Sequence, residues 1–171
     1  MKWKLDSLED AVLTVAAIAA AAVLVLTLWE TPPSNIATVA TLTGYATAAD
    51  GDDLRFGDVR VRLAGIAAPE DRRGLVQPGG PEATAALARL VEGRRVTCHL
   101  DGSTAGRSLR PVATCRAGGA DLGWAMVQGG WARDCPAHSG GRYAGAEAAA
   151  RVAGLDLAAR YALPGYCGEG E

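Results

Sequence analysis

The apolar positions of the chain are concentrated near its start. Residues 11–29 carry no charge, and only Thr14 and Thr27 are polar among them. At about 1.5 Å rise per residue, this run is just long enough for a helix to cross a hydrocarbon core of about 30 Å. We therefore predict a cytoplasmic tip and transmembrane anchor over residues 1–30, followed by a short linker over residues 31–39.

The flanks of this run indicate its orientation. Lys2 and Lys4 precede it and Glu30 ends it, so the positive-inside rule favours a cytoplasmic N-terminus and an exported C-terminal part. A cleaved signal peptide and a buried core helix are the alternatives. The first would need a small-x-small cleavage site, which Leu-Trp-Glu-Thr-Pro-Pro at 28–33 does not provide. The sequence favours a single-pass protein of the bacterial inner membrane, with its C-terminal domain on the periplasmic or extracellular side.

Beyond the linker, the pattern changes to short alternating segments separated by turn signals. Strands are predicted at residues 36–47, 54–56, 59–63, 95–100 and 109–116, and helices at 82–91, 122–128 and 143–152. Five short strands with helices inserted and appended predict one α+β domain over residues 40–171, built on a small closed barrel.

Charge narrows the possible functions. The 171 residues carry a formal net charge of −2, with a pI near 5.7, which excludes a uniformly basic protein that coats nucleic acid. After residue 30 the chain contains 15 Arg and no Lys. Any phosphate contact in this domain is therefore made by a guanidinium, which suits bidentate binding.

The four cysteines all lie in the C-terminal domain. None is two to four residues from another, so zinc spacing and a Cys-x-x-Cys redox motif are absent. An even number in an exported domain predicts disulfides. Cys98 and Cys115 flank a turn-rich segment and lie opposite each other if the flanks form a hairpin, so Cys135 pairs with Cys167 by elimination. Four buried free thiols are the alternative.

Five motifs in this part of the chain resemble one known family. They are DGD at 50–52, VRLAGIAAPE at 61–70, GPEA at 80–83, GR at 106–107 and MVQGGWA at 126–132. In this order and spacing they resemble a staphylococcal nuclease-like (thermonuclease) domain over roughly residues 40–160. The resemblance implies a five-stranded oligonucleotide-binding (OB) type barrel with three helices, preceded here by one transmembrane helix, and hydrolysis of phosphodiesters in nucleic acid.

The resemblance implies Arg62, Glu70 and Arg107 as the catalytic residues. Their types suit the chemistry, because two guanidiniums can hold the phosphoryl oxygens while a carboxylate orients the attacking water. We expect the three side chains to converge in one open pocket, with Asp52 at its edge.

The implied Ca²⁺ site is incomplete. The family's ligands correspond to Asp52, a second aspartate replaced here by Ala67, and a backbone carbonyl at Ala68. Calcium takes six to eight oxygens, so calcium binding is expected to be weak. By strand alternation Asp53 should point away from Asp52. From the sequence alone, Ala67→Asp is expected to raise calcium binding and cleavage together.

Two functions follow from these observations. The first is a membrane-anchored nuclease with a weakened metal site, which binds nucleic acid. The second is a catalytically impaired nuclease-like module that binds or assembles with a membrane-protein partner. The second is favoured by the lost ligand and by Ala105, which stands where the family has a tyrosine before its Gly-Arg.

Overall fold

The computed structural model describes residues 40–168. The predicted anchor at 11–29 and the linker at 31–39 lie outside the described residues. Within residues 40–168, no helix is both long enough and apolar enough to cross a bilayer.

Short strands make up much of the described chain. In chain order they are β1 (Thr41–Tyr45), β2 (Thr47–Asp50), β3 (Asp53–Phe56), β4 (Val59–Leu63), β5 (Ile66–Ala67), β6 (Asp71–Arg72), β7 (Leu75–Val76), β8 (Arg95–Ala105), β9 (Arg110–Ala117), β10 (Ala120–Asp121) and β11 (Arg133–Asp134). The five predicted strands correspond to β1 with β2, β3, β4, β8 and β9, while the two-residue strands were not predicted.

The helices follow local signals in the sequence. They are α1 (Gly80–Val91), α2 (Leu122–Gln128), α3 (Pro136–Ser139) and α4 (Ala144–Val152), with 3₁₀ turns at Leu157–Ala159 and Gly165–Cys167. Pro81 occupies the first turn of α1, where no backbone donor is needed. The Asp121 carboxylate caps α2 by accepting a hydrogen bond from the Trp124 backbone N–H at 3.1 Å. The α+β class is as predicted.

Six strands form one hydrogen-bonded path in the order β1-β8-β9-β4-β3-β2, and β10 adds to β9. The pairs in this sheet are antiparallel except β4 with β9, which run parallel. The first and last strands of the path, β1 and β2, are separated along the chain by Ala46 alone. The sheet path therefore begins and ends on neighbouring segments of the chain.

The pairing of β3 with β4 separates the core from the polar side of the sheet. Leu54 lies opposite Val61, and both are completely buried in the main apolar cluster, together with Leu87 of α1. The adjacent pair, Asp53 opposite Arg62, faces the other way because successive strand residues alternate. Alternation thus puts charged side chains on the sheet face opposite the core.

Both predicted disulfides are confirmed. Cys98 and Cys115 lie directly opposite each other in the β8–β9 register and are bonded. Cys135 is bonded to Cys167, so all four cysteines are used. The second bridge lies in a smaller apolar cluster with Leu157 and Tyr161.

Candidate functional site

An open pocket of about 520 Å³ lies on the charged side of the sheet. It is bounded by the end of β4, the β8–β9 hairpin and the C-terminal segment. The polar side chains that line it include Arg62, Glu70, Arg72, Arg110, His138 and Tyr166. Two of the three predicted catalytic residues, Arg62 and Glu70, therefore reach one pocket.

Arg62 extends from β4 and is held at both ends of its guanidinium. Its Nη1 donates to Asp52 Oδ1, and its Nη2 donates to the Ile66 carbonyl at 3.1 Å. The side chain is only 11% exposed. Burial disfavours its charged form, but the Asp52 carboxylate and the Tyr166 hydroxyl outweigh that effect, so the pKa of Arg62 is raised. Arg62 is therefore a fixed, permanently charged donor at the pocket wall.

Glu70 lies at the start of the loop that carries β6 and β7. Its backbone N–H donates to Gln77 Oε1 at 2.9 Å, and its carboxylate pairs with Arg72 at 2.9 Å. The pKa of Glu70 is raised, chiefly by partial burial and then by nearby Asp50, against the opposing charges of Arg72 and Arg62. A carboxylate with a raised pKa is a stronger base, which suits proton abstraction from water.

The structure does not bring Arg107 into this pocket. Arg107 lies in the exposed turn between β8 and β9 and is not among the residues that line the pocket. The residue that lines it instead is Arg110, the first residue of β9. Of the three residues expected to converge, the structure therefore places Arg62 and Glu70 at this pocket and Arg107 outside its lining. The reason is local: the turn continues to Leu109, which has a positive φ of 49°, so the sheet resumes three residues after Arg107.

Arg110 belongs to a buried ionic cluster with Asp53 and Arg60. Asp53 Oδ2 accepts from Arg110 Nη1 and also from Arg60 Nη2, the latter at 2.6 Å. The Asp53 side chain is fully buried, whereas those of Arg110 and Arg60 are 19% and 32% exposed. Asp53 Oδ1 and the Nε of both arginines are buried without a hydrogen-bond partner. The cluster therefore holds Arg110 beside the pocket, and the Nε donors of Arg110 and Arg60 remain unpaired.

Three acidic side chains meet behind the pocket. Asp50, Asp52 and Asp53 are all buried and bring one carboxylate oxygen each within 4.8 Å of one another. The expectation that Asp53 points away from Asp52 is wrong. Asp52 lies in the turn between β2 and β3, so strand alternation does not relate the two. Burial raises the pKa of Asp52 to about 7, against the opposing effects of Arg62 and the backbone N–H of Ala68.

These residues do not fit the calcium site that the motif pattern implies. One Asp52 oxygen accepts from Arg62 and the other from the Ala68 backbone N–H at 2.9 Å. The Ala68 carbonyl, the expected backbone ligand, accepts from the Tyr161 hydroxyl at 3.0 Å. Asp53 is neutralised by two arginines. Calcium takes six to eight oxygens, largely carboxylates and carbonyls, and here the expected ligands are already engaged by protein donors.

The side chain at position 67 is part of the apolar interior. Ala67 is completely buried in the cluster that contains the Cys135–Cys167 bridge and Tyr161. It lies in β5, which pairs with β11. An aspartate at this position would have to place its carboxylate among these apolar groups.

This placement reverses the expectation for Ala67→Asp. We expect the variant to lose about 3 kcal/mol of unfolding free energy, because a charged group is taken from water without a partner, and to gain no calcium binding. Urea unfolding with and without millimolar Ca²⁺ measures both effects. Ala67→Asn is the control that adds similar volume without charge. Stabilisation of Ala67→Asp, but not of the natural chain, by calcium would overturn this account.

The motif pattern missed the aromatic side of the pocket. Tyr166 and His138 both line it, and the Tyr166 hydroxyl accepts a hydrogen bond from Arg62 Nη2 at 3.4 Å. Tyr166 is 104 residues from Arg62 along the chain. The only sequence signal that connects the two is Cys167, whose disulfide fixes the segment that carries Tyr166.

Two comparisons with known proteins found similarities to this chain. The family model described as "Staphylococcal nuclease homologue" matches residues 60–157, more than half of the chain. A 122-residue stretch is 33% identical to the "Succinoglycan biosynthesis protein ExoI" of Rhizobium meliloti (strain 1021). This alignment covers 67% of the present chain and 63% of that relative.

The matched residues contain most of the pocket. They include the end of β4 with Arg62, the loop with Glu70, and the β8–β9 hairpin with Arg110. The segment that carries Tyr166 lies beyond the match. The chain therefore belongs to the staphylococcal nuclease homologue family.

Proposed function

We propose that the domain cleaves phosphodiester bonds of nucleic acid. The observation that carries this proposal is the convergence of Arg62, Glu70 and Arg110 on one open pocket. Two guanidiniums beside one carboxylate are what an anionic phosphate and an attacking water require. Arg110 takes the role that the resemblance assigned to Arg107.

In this proposal, Arg62 and Arg110 hold the non-bridging oxygens of the phosphate and stabilise the charge that develops on them. Glu70 accepts a proton from water as the water oxygen forms a bond to phosphorus. The opposite P–O bond breaks, and the leaving oxygen takes a proton from solvent. Arg72 pairs with Glu70 in the structure. Because its side chain is 55% exposed, this pair is weak and open to exchange.

The first test of cleavage replaces Glu70. Glu70→Gln keeps the side-chain shape but removes the base, and is expected to slow cleavage of a single-stranded DNA or RNA oligonucleotide about 100-fold. Glu92→Gln, at an exposed position after α1, is the matched control and should leave the rate unchanged. Gel analysis of oligonucleotide products under single-turnover conditions measures both. A natural chain whose cleavage does not depend on Glu70 would contradict the proposed mechanism.

A second candidate function is a nuclease-like module that binds phosphate without cleaving. It is favoured by the ion pairs in the pocket, because Arg62, Arg72 and Arg110 are each paired with a carboxylate. Such pairing lowers the net positive potential that a polyanion meets. Oligonucleotide binding by the natural chain without any product would select this function. The name of the ExoI relative describes a biosynthesis protein, which is compatible with such a role.

We also propose the finer architecture and location. Because the sheet path begins at β1 and ends at β2, which adjoin along the chain, we propose that the sheet closes as an OB-type barrel. We propose that residues 11–29 anchor the domain in the bacterial inner membrane, where a membrane-protein partner could dock. Two disulfides support an oxidising location such as the periplasm.

A further inference from the structure

Two neighbouring carboxylates divide three arginines of the polar sheet face between them. Asp53 lies directly opposite Arg62 in the β3–β4 pairing, yet its carboxylate accepts hydrogen bonds from Arg60 and Arg110. Arg62 is paired instead with Asp52, in the turn before β3. Each of these three guanidiniums therefore has a carboxylate of the chain itself as its partner.

The charge of the aspartate cluster behind the pocket is matched by these arginines. Taking charged groups out of water is costly unless opposite charges neutralise them. Three carboxylates here lie beside three guanidiniums, namely Asp50, Asp52 and Asp53 beside Arg60, Arg62 and Arg110. A divalent cation would add two positive charges to this balanced set, and it would compete with the arginines for the same oxygens.

The third carboxylate of the cluster is engaged by the backbone. Asp50 Oδ1 accepts hydrogen bonds from the backbone N–H groups of Gly51 at 2.8 Å and Asp71 at 3.0 Å. Asp50 thus ties the turn after β2 to the start of β6. Together with the engaged oxygens of Asp52 and Asp53, this contact shows a cluster held by protein donors.

Arg110 is positioned from two sides. Its Nη1 donates to Asp53 Oδ2, an oxygen that Arg60 shares at 2.6 Å. On the other side lies Gly106 of the β8–β9 turn, where a Cβ would lie 3.2 Å from Arg110 Nη2. Gly106 and Arg110 both line the pocket. The guanidinium is therefore confined between a buried carboxylate and the hairpin turn, at the pocket wall.

We propose that this pocket holds phosphate without a divalent cation, because the fixed Arg110 guanidinium supplies the positive charge that a metal ion would supply. Asp53 and Arg60 are positioning residues, since they hold Arg110 and do not themselves line the pocket. The inference rests on the proposed function, in which Arg62 and Arg110 hold the phosphate. A guanidinium fixed in advance stabilises charge on phosphoryl oxygens.

The first test uses the natural chain. The ligand is glycerol 3-phosphate, a phosphate monoester without a base, and calorimetry of the purified 171-residue chain measures its affinity. At matched ionic strength, replacing EDTA by millimolar Ca²⁺ should change the affinity less than about twofold, because screening is then equal. A titration with calcium chloride alone should show no saturable binding. Phosphate binding that disappears in EDTA would overturn the proposal.

The second test removes the proposed charge. Arg110→Ala should lower the affinity for glycerol 3-phosphate about tenfold, as loss of a hydrogen bond to a charged group does. Millimolar guanidinium ion should restore part of this affinity, whereas Ca²⁺ at the same ionic strength should not. Rescue by Ca²⁺ in place of guanidinium would show a metal site and reject the proposal.

Arg55→Ala is the matched control for this variant. Arg55 lies opposite Arg60 in the β3–β4 pairing, but it is exposed and does not line the pocket. Its replacement should leave the affinity for glycerol 3-phosphate unchanged. Circular dichroism establishes that each variant is folded. An equal loss of affinity in the two variants would reject a specific role for Arg110.

Arg60 tests the positioning. Arg60→Ala leaves the Asp53 carboxylate to Arg110, which should hold Arg110 more tightly and lower the affinity for glycerol 3-phosphate several-fold. Arg60→Lys keeps the shared charge and should keep the affinity. A purely structural role would not separate these two variants if both are folded. Unchanged affinity in Arg60→Ala would reject the positioning role.

The outcomes for this inference and for cleavage are separable. Phosphate binding that is equal in EDTA and Ca²⁺, without oligonucleotide cleavage, supports the inference and rejects turnover. Cleavage that requires Ca²⁺ and depends on Glu70 supports turnover and rejects the inference. Absence of phosphate binding under both conditions rejects the inference and leaves cleavage to be decided by Glu70→Gln.

Discussion

Replacement of Arg110 by alanine is expected to slow phosphodiester cleavage at least about 100-fold, as is usual when a donor to a developing negative charge is removed. The same replacement at Arg107 is expected to change the rate less than about twofold, because an exposed turn arginine contributes only long-range attraction, which salt screens. The contrast follows from the pocket, which Arg110 lines and Arg107 does not. Single-turnover rates of the two variants measure it.

Arg110→Lys separates charge from geometry. An ammonium keeps the positive charge but cannot form the two parallel bonds of a guanidinium, so we expect partial recovery of the rate. Thermal unfolding of each variant checks that the changes in rate do not arise from unfolding. A large loss at Arg107 with little effect at Arg110 would reject our placement of the second arginine and restore the role implied by the Gly-Arg motif.

The second large effect concerns Asp53. Asp53→Ala leaves Arg60 and Arg110 without the carboxylate they share, and is expected to lower the free energy of unfolding by about 3 kcal/mol, as when one partner of a buried pair is removed. The oxygen that accepts hydrogen bonds from both arginines belongs to a completely buried side chain. Water therefore cannot easily take the place of the lost carboxylate. Equilibrium urea unfolding measures the change.

Asp58→Ala provides the comparison. Asp58 is exposed in the turn between β3 and β4, and surface changes of this kind usually cost less than about 0.5 kcal/mol. Asp53→Asn preserves shape and one acceptor, so it should fall between the two. Equal stability of the Asp53→Ala and Asp58→Ala variants would show that the ionic cluster contributes nothing to folding.

The longer strands and the three longest helices were predictable because each carried a local signal. The alternation at 59–63 and the apolar run at 122–128 gave β4 and α2 with the bounds that the structure has. The five two-residue strands, β5, β6, β7, β10 and β11, were missed. A pair of two residues depends on which segments the fold brings together, and two residues are too few to show a periodic pattern.

The candidate site was less predictable, and Arg107 shows why. A Gly-Arg motif indicates a turn followed by a charged residue, but the residue at which β9 resumes depends on the length of the hairpin. Alternation within β9 places Arg110 on the same side as Val112, and Val112 pairs with Arg62 in the parallel register. Only the strand pairing, which no local pattern reveals, makes Arg110 the neighbour of Arg62.

The aspartates illustrate a second limit. Alternation was applied from Asp52 to Asp53 as if both belonged to one strand, but β3 begins at Asp53. Burial of a carboxylate is also invisible in a sequence, since it depends on partners such as Arg60 and Arg110. The ionic cluster could be recognised only after the strands were assembled.

The Cys135–Cys167 disulfide also determines when the pocket is completed after the chain is made. A newly made chain has reduced thiols, so Cys167 is not yet bonded to Cys135. The covalent link that holds Tyr166 at the pocket is then absent. The aromatic edge is complete only after oxidation, which reducing compartments oppose. A domain assembled in this way would complete this edge of its pocket only under oxidising conditions.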